Sequence, residues 1–265
     1  MTGSGRKATK FDRVLVVDPN VATAKQVASL LRSVWPSVEV YGAQDAAKAL
    51  LLAGQVEPEL VFVEAGGPGF DGMAFSRAFR RSDLAAREAP IIMVFSEATG
   101  AQILGARDSG VHEFLRRPIS MGDLERRLAA VSGQPRDWIE GVEYVGPDRR
   151  RFNSADFKGT SKRRTDGNKK SQKINQALRI IVAASRQLEA EPVQAARALG
   201  TQARILVELS AGHDSLKRLG AAAALMQTYL QSVARQGTPP SRDQVETCAA
   251  NVLQAAPEET RPKAA

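Results

Sequence analysis

Val14-Leu15-Val16-Val17-Asp18-Pro19-Asn20 decides the fold: four consecutive apolar residues, an acid, then two turn-forming residues. An unbroken apolar run of this length is what a strand covered on both faces requires, whereas a half-wet strand alternates. Val21, Ala24, Val27, Leu31 and Val34 follow at helical spacing. The cycle then repeats four times. Residues 38–41 precede a helix through Leu52, 60–63 one from about Met73, 91–94 one from about Thr99, and Phe114-Leu115 one from Met121. Strands alternating with helices predict an α/β fold, a five-stranded parallel sheet doubly wound with helices on both faces. In such sheets the functional crevice lies at the carboxyl ends of the strands.

Composition sets the wider limits. With 265 residues, 43% hydrophobic and 25% charged, the chain is globular, and its length suits one large domain or two small ones. No run reaches the roughly 18 apolar residues of a membrane span, and the polar, basic first ten residues are not a secretory signal. One cysteine, Cys248, makes neither an internal disulfide nor a zinc cage. These features point to a soluble, cytoplasmic protein. The net charge of +8 is concentrated: residues 146–170 hold nine basic residues against three acids, +6 of the total. Such a focus attracts anions.

Five segments are expected. Residues 1–11 form a disordered head, 12–132 the α/β domain, 133–171 a basic Arg-rich linker, 172–255 a helical bundle and 256–265 a disordered tail. In the bundle, Ile174, Leu178, Ile181 and Leu188 share a face, and Leu216, Leu219, Ala223, Met226, Leu230 and Val233 form a heptad-like seam. Ser241 to Gln244 has the spacing of a capping box. The seam suits a bundle within one chain or across a homodimer.

Five blocks in order carry a family resemblance: Val14-Leu-Val-Val-Asp18, Pro58-Glu-Leu-Val-Phe-Val-Glu64 with Gly67-Pro-Gly-Phe-Asp-Gly72, Ala89-Pro-Ile-Ile-Met-Val-Phe95-Ser96-Glu97, and Gly110-Val-His-Glu-Phe114-Leu-Arg-Arg117-Pro118. Residues 13 to about 132 resemble the CheY-like receiver domain of two-component response regulators. That resemblance implies phosphorylation of an aspartate at the end of the third strand, assisted by Mg²⁺. It implies an acidic pair after the first strand, a Thr or Ser after the fourth and a Lys after the fifth. Asp18 fills the first acidic position, but Pro19 stands at the second, Glu64 at the acceptor, Phe95 at the hydroxyl and Arg117 at the lysine. Glu64 places its oxygen about 1.5 Å further out, where such an error costs about a hundredfold. Ser96 does not replace the hydroxyl, because one step along a strand reverses the face. Four departures from five positions predict a degenerate, phosphorylation-independent receiver acting as a protein-interaction module in signalling. Arg117 is expected to grip Glu64 bidentately and lock one conformation; the alternative is two solvated charges in a disused crevice. Phe114 stands where the family carries a switching aromatic.

The basic stretch offers Asp148, Arg149, Arg150, Arg151, Arg163, Arg164 and Asp166 as a candidate anion site. Guanidinium groups pair with phosphate oxygens and with guanine. Arg163-x-x-Asp166 resembles the Arg-x-x-Asp element of cyclic di-GMP sites, and the extension resembles CheY-like cyclic-di-GMP effectors. A solvated linker, nucleic-acid backbone and an acidic protein surface are the competing readings. No helix-turn-helix signature or Gly-Lys-Ser/Thr phosphate loop is present. His112 lacks neighbours for a metal site, His213 sits at a helix start, and Cys248 lies on an apolar face. No catalytic residue, metal or cofactor is therefore expected. The rival function is a phosphorelay member phosphorylated on Glu64 or His213.

Overall fold

The apolar runs become strands because both of their faces are covered. β1 (Arg13–Val17), β2 (Glu39–Ala43), β3 (Leu60–Glu64), β4 (Ile91–Phe95) and β5 (Glu113–Arg116) pair in the order β2-β1-β3-β4-β5, all parallel. Val14, Val16, Leu60, Phe62, Ile92 and Val94 pack against α1 (Val21–Val34) and α5 (Met121–Ser132). Leu15, Val17, Val61, Val63, Ile91 and Met93 turn the other way, towards α2 (Ala46–Val56), α3 (Gly72–Arg81) and α4 (Gly100–Asp108). This is the doubly wound architecture that the sequence predicts. Helix starts follow capping chemistry: Asn20, Asp71 and Ser120 accept backbone N–H groups, and Thr99 with Gln102 forms a capping box.

The computed structural model describes residues 10–133, 136–149 and 166–262. They divide into two units, the first taking residues up to 139 and 144–149, the second 140–143 and 166–262. In the second, α6 (Asp166–Arg186), α7 (Pro192–Ser210), α8 (Lys217–Gln236) and α9 (Arg242–Ala255) pack in sequence, and α6 also meets α9. Leu178, Ile181, Leu206, Leu219, Met226 and Val252 lie in their shared core. Gln194 donates to the Glu140 carboxylate at 2.8 Å and the Gly141 carbonyl at 2.9 Å, which fixes the 140–143 loop to this unit. Among the described residues, no helix is long and apolar enough to cross a membrane.

The linker and tail expectations need correction. Residues 136–149, read as linker, are structured: β6 (Trp138–Glu140) pairs with β7 (Val145–Pro147). Their aromatic and glycine residues have structural partners. Tyr144 is buried and donates to the Pro147 carbonyl at 2.6 Å. Gly110, at φ +84°, lies where an added Cβ would come within 2.6 Å of the Val145 carbonyl oxygen. α6 begins at Asp166, before the expected residue 172. The tail continues into a turn at Glu258–Thr260, where Thr260 is buried and its carbonyl accepts from Asn175 at 2.8 Å. Ser241 begins α9 without a side-chain cap bond; instead its N–H donates to the Tyr229 hydroxyl at 2.7 Å.

One buried charge ties the first unit together. Arg80, 0% exposed, donates through Nε to the Gly110 carbonyl at 2.9 Å, and through one Nη to the carbonyls of Arg87 (2.5 Å) and Ala89 (2.8 Å). Its other Nη lies 3.2 Å from His112 Nδ1, and its guanidinium sits 5.3 Å from the Trp138 ring centroid. Burial brings its pKa down to about 9. Arginine has only donors, so Nδ1 of His112 is an acceptor; it also receives the Ile91 N–H at 3.3 Å. Burial, with Arg80 and Arg136 nearby, holds His112 neutral and its pKa well below the usual value. The unfolded chain therefore takes up this proton first, and stability falls as pH drops below about 6.5, by up to about 1.4 kcal/mol per pH unit. Urea denaturation between pH 7.5 and 5.5 should show this slope flattened in His112→Asn, which keeps an acceptor but has no ionisable ring.

Candidate functional site at the carboxyl ends of the strands

Strand register assembles the site. Val17 pairs with Val63, Glu64 with Val94 and Phe95 with Arg116, so Asp18, Glu64, Phe95 and Arg117 emerge together at one edge of the sheet. Gly72 opens α3 hard against β3; a Cβ there would come within 2.1 Å of the Glu64 carbonyl oxygen. The backbone at the acceptor position is thereby fixed.

Two buried carboxylates share one guanidinium. Asp18, 3% exposed, accepts the Asn20 N–H at Oδ1 (2.8 Å), and at Oδ2 the Thr23 hydroxyl (2.5 Å) and Arg117 Nη2 (3.1 Å). Glu64, 8% exposed, accepts at Oε2 from Arg117 Nη2 (2.8 Å) and Nε (3.3 Å). The expected Glu64–Arg117 pair is present, with a different geometry. Both N–H groups fall on one oxygen rather than two, because Nη2 also serves Asp18. Burial pushes the Glu64 carboxyl above its ordinary range; the Arg117 hydrogen bonds and charge offset this only in part, and the Asp18 charge adds to it.

The remaining expected positions surround this triad. Pro19 packs on the hairpin after β3, where a Cβ on Gly67 would meet its Cγ at 2.8 Å. Phe95 is buried edge-on to Phe114, ring centroids 6.1 Å apart, and Ser96 lies just past the strand end and is exposed. Thr23 is the residue that sequence reading missed; its only signal is a hydroxyl in the first turn of a helix starting just after Asp18. Beside Arg117 lies an open cavity of about 650 Å³ lined by Val27, Leu30, Pro118 and Ile119.

The receiver resemblance implies Mg²⁺, and these residues do not fit it. A magnesium ion requires six oxygen ligands in tight octahedral geometry. Here Pro19 brings no carboxylate, and a guanidinium already lies between the two that remain. Among the described residues, no group of three or more His, Cys, Asp or Glu side chains is placed to hold a metal.

The Arg-rich segment is only partly visible. Arg149 pairs with Asp108 at 2.9 Å and stacks 4.5 Å from the Tyr144 ring centroid, so its guanidinium is engaged within the first unit. The Asp148 N–H donates to the Asp137 carbonyl at 2.8 Å. Arg150, Arg151, Arg163 and Arg164, and the Asp166 side chain, lie outside the described residues. His213 is exposed at a helix start, and Cys248 is half-buried against the bundle core.

Residues 14–129 match the response regulator receiver domain family. A protein-glutamate methylesterase/protein-glutamine glutaminase of Nocardioides is 34% identical over 122 residues, 45% of this chain and 32% of the relative. The response regulator PleD of Caulobacter vibrioides is 33% identical over 117 residues, 44% of this chain and 24% of its own length. The chain thus covers a third or less of these relatives. Among solved structures, the chemotaxis protein CheY4 of Vibrio cholerae aligns over 46% of this chain and 99% of its own, at 23% identity and a TM-score of 0.42.

Replacing Arg117 by Met leaves two buried carboxylates with no cation, which should cost about 3–5 kcal/mol at pH 7. Glu64 then binds a proton more readily folded than unfolded, so part of the loss returns as pH falls from 7 to 5. Urea denaturation of Arg117→Met, and of Arg117→Met with Glu64→Gln, should show that pH dependence in the first and its reduction in the second.

Proposed function

With residues 14–129 a response regulator receiver domain, we propose that this one signals without phosphoryl transfer, as a non-catalytic module that binds protein partners. The carrying observation is that Arg117 Nη2 is shared between Asp18 and Glu64. In phosphoryl transfer the protein contributes mainly position and charge stabilisation. Here the acceptor carboxylate is bonded to a fixed cation, the side chain is one methylene too long, and Pro19 and Phe95 replace a carboxylate and a hydroxyl. The guanidinium supplies permanently the positive charge that a metal and a lysine supply in the family. Phe95 packs edge-on to Phe114 with ring centroids 6.1 Å apart, which supports a fixed rather than switching aromatic.

The anion-binding reading of the Arg-rich segment rests on charge. A cyclic dinucleotide such as cyclic di-GMP would have to draw Arg149 away from Asp108 and Tyr144, so this reading is the weaker companion to the first.

Incubation of the full chain with acetyl phosphate and Mg²⁺, and separately with beryllofluoride, discriminates the module from a phosphorelay member. Intact-mass measurement should show no phosphoryl adduct, and tryptophan fluorescence no response to beryllofluoride. A metal-dependent acyl phosphate that disappears in Glu64→Gln would overturn the reading.

A further inference from the structure

The chain's excess charge belongs to one stretch. Residues 149–186 hold twelve basic side chains and two acids, a net +10 against +8 for the whole protein, so everything else is slightly acidic. Much of this lies on α6. Beyond Asp166 the helix carries Lys169, Lys170, Lys173, Arg179 and Arg186 and no acid. Ile174, Leu178 and Ile181 are buried in the bundle core, while Lys169, Lys173, Arg179 and Arg186 are exposed on the outer side. At 1.5 Å per residue they extend along about 26 Å of helix. Glu258 and Glu259 lie on the turn packed against α6, beside Arg261, and Glu189, beyond the C-terminus, is already paired with Arg242.

We propose that the outer face of α6 binds the phosphate backbone of double-stranded nucleic acid without reading its sequence. Three features select this ligand class. The charges are strung along a line, which a compact dianion cannot neutralise, whereas a duplex carries one phosphate charge per roughly 1.7 Å of its axis. The helix has no aromatic residue, so it offers no stacking platform for unpaired bases. Its apolar row is spent in the bundle core, so it has no free apolar face to lay into a bilayer, as interfacial helices do. The surface lies in the helical unit and is independent of the receiver pocket. Its failure would leave the phosphorylation-independent reading intact.

The test is fluorescence anisotropy of a labelled duplex of about 30 base pairs of arbitrary sequence, titrated with the full chain at several salt concentrations. The variants are Lys173→Ala/Arg179→Ala/Arg186→Ala on α6, and Arg218→Ala/Arg235→Ala on α8 as a charge control. The α6 variant should bind at least tenfold more weakly at about 50 mM salt, and its slope of log affinity against log salt should be shallower by about 2.7. The control should stay within about twofold of the parent, and unchanged urea midpoints would exclude misfolding. The proposal is overturned if the parent fails to bind duplex at low salt, or if the α6 variant binds as the parent does. Equal weakening by the control, or binding to phosphatidylserine vesicles but not to duplex, overturns it equally.

Discussion

A guanidinium held between two buried carboxylates is the constraint on which the first unit's candidate site depends. Asp18 and Glu64 are each nearly shielded from water and lie on neighbouring strands. Their mutual repulsion in a low-dielectric setting makes a cation obligatory or forces protonation. Arg117 supplies that cation covalently, from the end of a third strand. Within the pocket, both Arg117 N–H groups that reach Glu64 fall on Oε2. The balance is incomplete: burial still lifts the Glu64 carboxyl despite the arginine.

The scaffold makes this arrangement rigid. Parallel pairing in register brings the carboxyl ends of β1, β3, β4 and β5 to one edge, and glycine at position 72 lets α3 start against the Glu64 backbone. Phe95 is buried and packs edge-on to Phe114. At the other end of the sheet a second buried guanidinium does a different job. Arg80 gathers three carbonyls from two separate connections, and its cost of burial is offset by hydrogen bonds rather than by a carboxylate.

Much of the fold was legible in the chain. The apolar run from Val14 to Val17 and its four successors, each followed by a helical stretch, specify a doubly covered parallel sheet, and the helical seam from Leu216 to Leu230 specifies bundle positions. The site was legible in its residue types: Glu64, Phe95 and Arg117 stand where the receiver resemblance implies Asp, a hydroxyl residue and Lys. The segment around Trp138 and Tyr144 was not legible. Gly, Arg and Asp there read as a linker, and the guanidinium groups that face the Trp138 ring come from the distant Arg80 and Arg87.

The sequence alone determined which strands are covered on both faces, and that Pro19, Glu64, Phe95 and Arg117 stand at positions where the receiver resemblance implies other residues; these follow from local periodicity and from residue identity. Tertiary structure alone decided that one Nη of Arg117 is divided between Asp18 and Glu64, that Thr23 joins them, and that residues 136–149 are structured. Those outcomes depend on strand register and on contacts between residues as far apart as Asp18 and Arg117. Hydrogen bonds of this kind are set by distances of a few tenths of an ångström, which no pattern of neighbouring residues encodes.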